Sequence, residues 1–162
     1  MSEASATSQL GELANLTMGQ SPRSDSVSSG GLGLPFLQGC AEFGPYVPTP
    51  RLRCNPPLRV AKQGSTLISV RAPVGTMNRA DQDYCIGRGL GAILATTRIA
   101  DSQFLRYAVE QSVPFLHRRS QGSTFLAICK DDLAHLPVPA PPLSQQRRIA
   151  EILTTVDEAI EQ

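Results

Sequence analysis

The sequence predicts an α+β fold: a twisted, mostly antiparallel β-sheet with a few short helices, followed by a C-terminal amphipathic helix of coiled-coil type. Three observations predict it. Short β-patterned runs, of which Thr66-Leu67-Ile68-Ser69-Val70 is the best, are bounded by glycine and proline. Two stretches, 102–113 and 144–162, carry a 3.6-residue apolar period. The segments between them are too rich in Gly, Ser and Pro for long regular structure.

In chain order, residues 1–9 have neither a basic cluster nor an apolar run and are expected to be a disordered end. Residues 10–18 alternate loosely and start a strand. Residues 19–35 read as a surface loop centred on Ser28-Ser29-Gly30-Gly31, 36–38 as a short apolar stretch, and 44–57, with five prolines, as irregular chain. After the strand at 66–70, stopped by Pro73 and Gly75, two further strands are expected at 84–86 and 92–96. Asp101 or Ser102 caps a helix in which Phe104, Leu105, Ala108 and Val109 repeat at helical spacing and which Pro114 stops. A strand over 124–129 and a helical turn over 131–136 follow. The run P-V-P-A-P-P at 137–142 reads as a stiff, extended hinge.

The last segment has the clearest pattern. Ser144 is a suitable N-cap, and no Gly or Pro follows to Gln162. Leu143, Ile149, Ile152, Leu153, Val156, Ala159 and Ile160 supply an apolar stripe, with Arg147, Arg148, Glu151, Asp157, Glu158 and Glu161 on the outer face. Such a stripe either folds back on its own domain or pairs with another helix. The pattern is still running at Gln162, as expected of a truncated or half-length version of something longer. Three parts follow: 1–9 as an end, 10–140 as the folded domain and 141–162 as a spacer or dimerisation helix.

Length and composition fit one folded domain, with 41% apolar and 18% charged residues, and no apolar run is long enough for a bilayer. The chain is therefore expected to be cytoplasmic and free of membrane contact. The cysteines at 40, 54, 85 and 129 form no C-x-x-C pair, and His117 and His135 lie at no ligand spacing from them, so reduced thiols and no metal are expected. The net charge of +1 conceals asymmetry. Residues 51–100 hold eight basic residues against two acidic ones, and seven of the eight are arginine. Arginine's planar fork suits phosphates and guanine edges, so this segment is the candidate polyanion surface.

Two motifs invite enzymatic readings. C-N-P-P-L at 54–58 resembles the Asn-Pro-Pro-aromatic turn of amino-methyltransferases, but Leu58 stands where the aromatic that stacks on a flipped base belongs. No strand and G-x-G turn precedes it to hold S-adenosylmethionine, so it reads as a proline-rich loop. G-R-G-L-G at 87–91 fits neither phosphate-loop spacing. It marks a tight turn or bulge that holds Arg88 outward. No carboxylate pair or Ser-His-Asp order is visible.

Four stretches carry a family resemblance: L-G-E-L at 10–13 with G-Q-S-P at 19–22; P-F-L-Q-G at 35–39 with E-F-G at 42–44; L-I-S-V-R-A-P-V-G-T-M-N at 67–78 running to D-Y-C-I-G-R-G-L at 83–90; and G-S-T-F at 122–125 leading into L-P-V-P-A-P-P-L-S-Q-Q-R-R-I-A-E-I-L at 136–153. Together they resemble the specificity subunits of type I restriction-modification systems and their target-recognition domains. The resemblance implies a non-catalytic, DNA-binding part. A full subunit has two such domains, each followed by a long helix, and the paired helices space the two halves of a split DNA target. It implies double-stranded DNA, methyltransferase subunits and, through them, nuclease-translocase subunits as partners. S-adenosylmethionine, ATP and magnesium belong to those partners. Two copies of this chain, paired through the last helix, are a candidate homodimer. The rival readings are a reduced N6-adenine methyltransferase fragment and an assembly or decoy protein that does not touch DNA.

Within that frame, Arg51, Arg53, Arg59 and Lys62 are assigned to phosphates. Arg71, Thr76, Asn78, Arg79 and Arg88 are assigned to base or near-base contacts. Gln121, Ser123 and Thr124, with Ser120, form a second candidate loop. The midsection arginines are expected to gather into one cationic shelf.

Overall fold

The computed structural model describes residues 6–120 and 127–161. Strand β1 (Thr7–Gln9) leads into the one-turn helix α1 (Leu10–Leu13) and β2 (Ala14–Met18). Then come β3 (Val27–Ser28), β4 (Leu34–Leu37), β5 (Leu52–Cys54), β6 (Val60–Ala61), β7 (Thr66–Ser69), β8 (Met77–Arg79), β9 (Tyr84–Ile86) and β10 (Leu90–Ala95). Helices α2 (Ser102–Ser120) and α3 (Lys130–Ala134), strand β11 (Pro137–Pro139) and helix α4 (Leu143–Ile160) complete the chain. The α+β expectation holds.

The sheets are a four-stranded one in the order β2-β10-β7-β8, a five-stranded one in the order β3-β5-β4-β9-β6, and the pair β1-β11. Every pairing is antiparallel except β4 with β9. The four-stranded sheet is covered on both faces. Ile68 and Ile93 point into a core with Phe104, Leu105, Val109, Leu116, Leu133 and Leu136 from the helical side. Their neighbours Leu67 and Ala92 point the other way, into a core with Leu37, Tyr84, Ile86 and Leu90. Burial on two faces explains why β10 reads as a near-continuous apolar run and why all four residues of β7, the polar Thr66 and Ser69 included, are buried.

Several expectations are corrected. Residues 7–9 are not a frayed end: they pair with 137–139, and the Ala140 N–H donates to the Ala6 carbonyl at 2.7 Å. The proline segment is thus extended as expected, but as a strand tied to residues 6–9 and not as a hinge. Irregular chain was expected over 44–57, but β5 lies within it; Arg53 and Cys54 pair on both sides, with β3 and β4. Pro114 does not stop α2. The proline is exposed, and so is Glu110, whose carbonyl loses its helical donor and can be hydrated instead. Beyond it Leu116 is fully buried and the His117 Nε2 lies 2.7 Å from the Val74 carbonyl, so tertiary packing carries the helix on. Asp101 does cap α2, accepting the Phe104 N–H at 2.9 Å. Ser144 does not cap α4. The N-cap is Pro142, whose carbonyl receives the N–H groups of Gln145 and Gln146. Of the strand expected over 124–129, Ala127 forms an isolated bridge with Arg71, and 124–126 lie outside the described residues.

Candidate nucleic-acid interface

A glycine junction builds one end of the molecule. Gly19 donates to the Leu90 carbonyl (2.8 Å), Gln20 to Ile86 (3.1 Å), Gly87 to Leu37 (2.7 Å), Gly89 to Gln38 (3.2 Å) and Val70 to Gly89 (3.0 Å). A Cβ on Gly19 would sit 1.8 Å from the Gly87 carbonyl oxygen, so only glycine lets these backbones approach. The stretches G-Q-S-P, P-F-L-Q-G and I-G-R-G-L, far apart in sequence, therefore meet at one place. Gln20, Ser21, Gln38, Arg59 and Arg88 emerge from it exposed. Gln38 Nε2 donates to Ser21 Oγ at 3.2 Å, and Arg59 Nε reaches Gln20 Oε1 at 3.4 Å. Gln20, Ser21 and Gln38 were not among the residues singled out in the sequence. Their motifs were visible, but their convergence was not.

Arg71 follows Val70 directly and joins this end. It opens a loop that closes with the Ser69 N–H on the Thr76 carbonyl at 2.8 Å, and Arg71 and Thr76 are both exposed. Gly75, at φ +99°, lets the loop press against α2, where a Cβ would lie 2.5 Å from Val113 Cγ1. Arg51 and Arg53 lie exposed on the five-stranded sheet, and Arg53 Nη1 donates to the Gly33 carbonyl at 2.8 Å. Among the described residues the only ion pairs are Arg23–Asp25 at 3.0 Å and Lys62–Asp83 at 3.7 Å. Acids therefore neutralise none of the midsection arginines there, while Lys62 is shared.

The single shelf is not what the fold builds. Arg79 pairs in register with Thr66, at the opposite end of β7 from Arg71. Five residues of strand put them roughly 16 Å apart. Arg79 Nη2 donates to Gln103 at 3.3 Å and lines a cleft of about 300 Å³ with Tyr46, Arg106, Tyr107, Asp157 and Glu161. Asn78 is also corrected. It is 5% exposed, and its Nδ2 donates to the Gly44 carbonyl at 3.0 Å, so it holds the 44–47 turn instead of standing out on a loop as a base contact would. Asn78→Leu is expected to cost ~1–3 kcal/mol of stability, because it leaves that carbonyl dehydrated and unmatched. Urea unfolding measures it, and an unchanged midpoint contradicts the assignment. Gln121, Ser123 and Thr124 lie outside the described residues.

Helix α4 has two working faces. Gln146 and Ala150 are buried against the domain, Asp157 accepts the Tyr107 hydroxyl at 2.5 Å, and the Glu161 carboxylate beside Tyr46 holds that phenol above its ordinary range. Asp157 and Glu161 were expected on the outer face; in fact they serve the domain. Roughly 100° around the helix, Ile149, Ile152, Val156 and Ile160 stay exposed at 38%, 56%, 47% and 76%. Leu153 lies half-buried between the two faces, and Leu143 is half-buried in a groove with Glu12 and Leu13. The fold-back and the free stripe coexist.

Burial pushes the Cys54 thiol up to about 11, which suits an inert core residue. Among the described residues no three His, Cys, Asp or Glu side chains stand close enough to share a metal ion, and no helix is long and apolar enough to cross a membrane. Asn55 gives its N–H to the Ser26 carbonyl, and Leu58 is half exposed.

These features define a class: an α+β module whose midsection arginines have no acidic partner among the described residues, with a helix seated along one flank and apolar on another. More particularly, the chain belongs to the type I restriction modification DNA specificity domain family, whose model matches residues 58–162. The putative type I restriction enzyme MjaX specificity subunit of Methanocaldococcus jannaschii is 44% identical over 146 residues, which cover 90% of this chain and 34% of that protein. The MjaIX specificity subunit of the same organism is 28% identical over 106 residues, 64% of this chain and 24% of that protein. Among solved structures, the HsdS subunit from Thermoanaerobacter tengcongensis superposes with a TM-score of 0.86 at 41% identity, over 96% of this chain and 38% of that one. A chain solved in work on complex assembly and conformational transition of the type I R-M system gives 0.88 at 42%, over 96% and 39%. The chain thus spans about a third of the length of the first relative and two-fifths of these solved chains.

Proposed function

We propose that this chain reads one half of a bipartite DNA target, as a non-catalytic specificity module, and docks methyltransferase subunits that carry the chemistry. The observation that carries the reading is the junction end: Arg59, Arg71 and Arg88 are exposed there with no acidic partner among the described residues, in a chain of this family. Exposed forks on a backbone stitched together by hydrogen bonds are what phosphate and base-edge contacts need. Arg51 and Arg53 extend the phosphate surface along β5. In this reading S-adenosylmethionine, ATP and magnesium are bound by partner subunits, and nuclease-translocase subunits join through the methyltransferase. Two copies, paired through the exposed stripe of α4, bring two recognition domains to one interrupted site.

Duplex binding with the methyltransferase present, followed by fluorescence anisotropy across a salt series, tests the reading. With three to five arginines on phosphate, log K is expected to fall with log salt at a slope of roughly −3 to −5. A flat salt response, or no duplex binding with the methyltransferase present, sinks it and favours the assembly or decoy role.

A further inference from the structure

Gln146 is a polar side chain sealed where three segments meet, and it is 1% exposed. Its Oε1 accepts the Asp101 N–H at 2.9 Å; its Nε2 donates to the Ile99 carbonyl at 3.1 Å and the Pro141 carbonyl at 2.8 Å. Both amide protons and the amide oxygen are thus in use. Ile99 and Asp101 belong to the turn that enters α2, and Pro141 to the segment that enters α4. A burial of this kind is geometry-specific. Turning or sliding α4 by one residue breaks all three bonds and leaves the groups desolvated and unmatched, whereas an apolar contact would tolerate the shift.

The contacts continue down the same side of the helix. Ala150, buried one turn on, is small enough for close approach. Asp157 then takes the Tyr107 hydroxyl. From Gln146 to Asp157 is roughly 16 Å of helix, so α4 is held near both its ends. Polar, directional bonds at both ends oppose rotation, tilt and sliding together.

We infer that Gln146 is a positioning residue: it fixes the direction in which α4 leaves the recognition domain and so, where two such helices pair, the distance between half-sites. The second clause rests on the function proposed above; the first does not. Residual dipolar couplings on the full chain decide the first. In the wild type, α4 and the domain are expected to share one alignment tensor. In Gln146→Ala the domain is expected to keep its tensor, while the α4 couplings shrink about two-fold or more through independent motion. Gln146→Met, which fills the space without the three bonds, is expected to behave as the alanine does. Wild-type couplings in the methionine variant overturn the inference, since packing alone would then suffice. Selection from duplexes with randomised spacer length, with the methyltransferase present, decides the second clause. The wild type is expected to select one spacer length, and the variants are expected to accept neighbouring lengths with unchanged half-site bases. A single retained spacer overturns the spacing role. Failure of the wild type to bind any duplex removes that role along with the functional reading, and the couplings still decide the pin.

Discussion

Alanine at both Arg71 and Arg88 is expected to weaken duplex binding by about two orders of magnitude, ~3 kcal/mol, at moderate salt. The two residues are neighbours through the Val70 N–H to Gly89 carbonyl bond, both are exposed, and neither guanidinium has a hydrogen bond or ion pair among the described residues. Free forks of this kind contribute ~1–3 kcal/mol each when they meet a guanine edge, and less on phosphate. Little stability is at stake, within ~0.5 kcal/mol, because neither side chain fills a core. Arg79→Ala is the internal control. It removes the same charge from the same segment, but from the other end of the β7–β8 hairpin, and is expected to change binding by less than about two-fold. Anisotropy titrations of the double variant, the control and the wild type separate these outcomes. A larger loss from Arg79 than from the pair would relocate the interface to the α2–α4 flank.

The contrast between Arg71 and Arg79 shows how far the sequence is legible. Eight residues apart in a basic segment, the two look equivalent; the antiparallel return of the chain, with Arg79 opposite Thr66, puts them at opposite ends. Local patterns were readable because they depend on local physics. The β-branched pattern of β7, the period of α2 and α4 and the Asp101 cap all follow from spacing and propensity. The glycine turn at 87–89 was legible as a turn, but its purpose depends on Gly19, and no local rule couples the two. Asn78 was misread, and Gln146 drew no reading, for a related reason. A polar residue reads as surface until the carbonyl that awaits it is known, and Gly44, Ile99 and Pro141 become those partners only in the folded chain. Pro114 reads as a stop because its ring and missing N–H are local facts; the burial of Leu116 that outweighs them is not.

In the proposed homodimer, aspartate in place of Ile152 is expected to convert a particle of twice the 17.4 kDa chain mass into a monomer. Four large aliphatic residues, Ile149, Ile152, Val156 and Ile160, lie on one side of a helix whose opposite needs are already met by its own domain. Their spacing of three, four and four is that of a helix-pairing seam. Seating each in a partner helix contributes up to ~1.5–3 kcal/mol, scaled by the exposure it still has to lose. Ile152, near the middle of the seam and more than half exposed, has much to lose and little to do within its own domain. An aspartate there forfeits that term in both copies and places two like charges across the two-fold. The dimer should weaken by at least ~3 kcal/mol, more than about 100-fold in the dissociation constant. Leu153 would be a poorer choice, because it is half-buried between the two faces and its loss would also loosen the helix from the domain. Sedimentation equilibrium over a concentration series reads the result directly, and far-ultraviolet circular dichroism checks that α4 survives. Equal masses for Ile152→Asp and wild type, with the helix intact, mean that the stripe awaits a different helix, and that one copy of this chain cannot supply the partner for another.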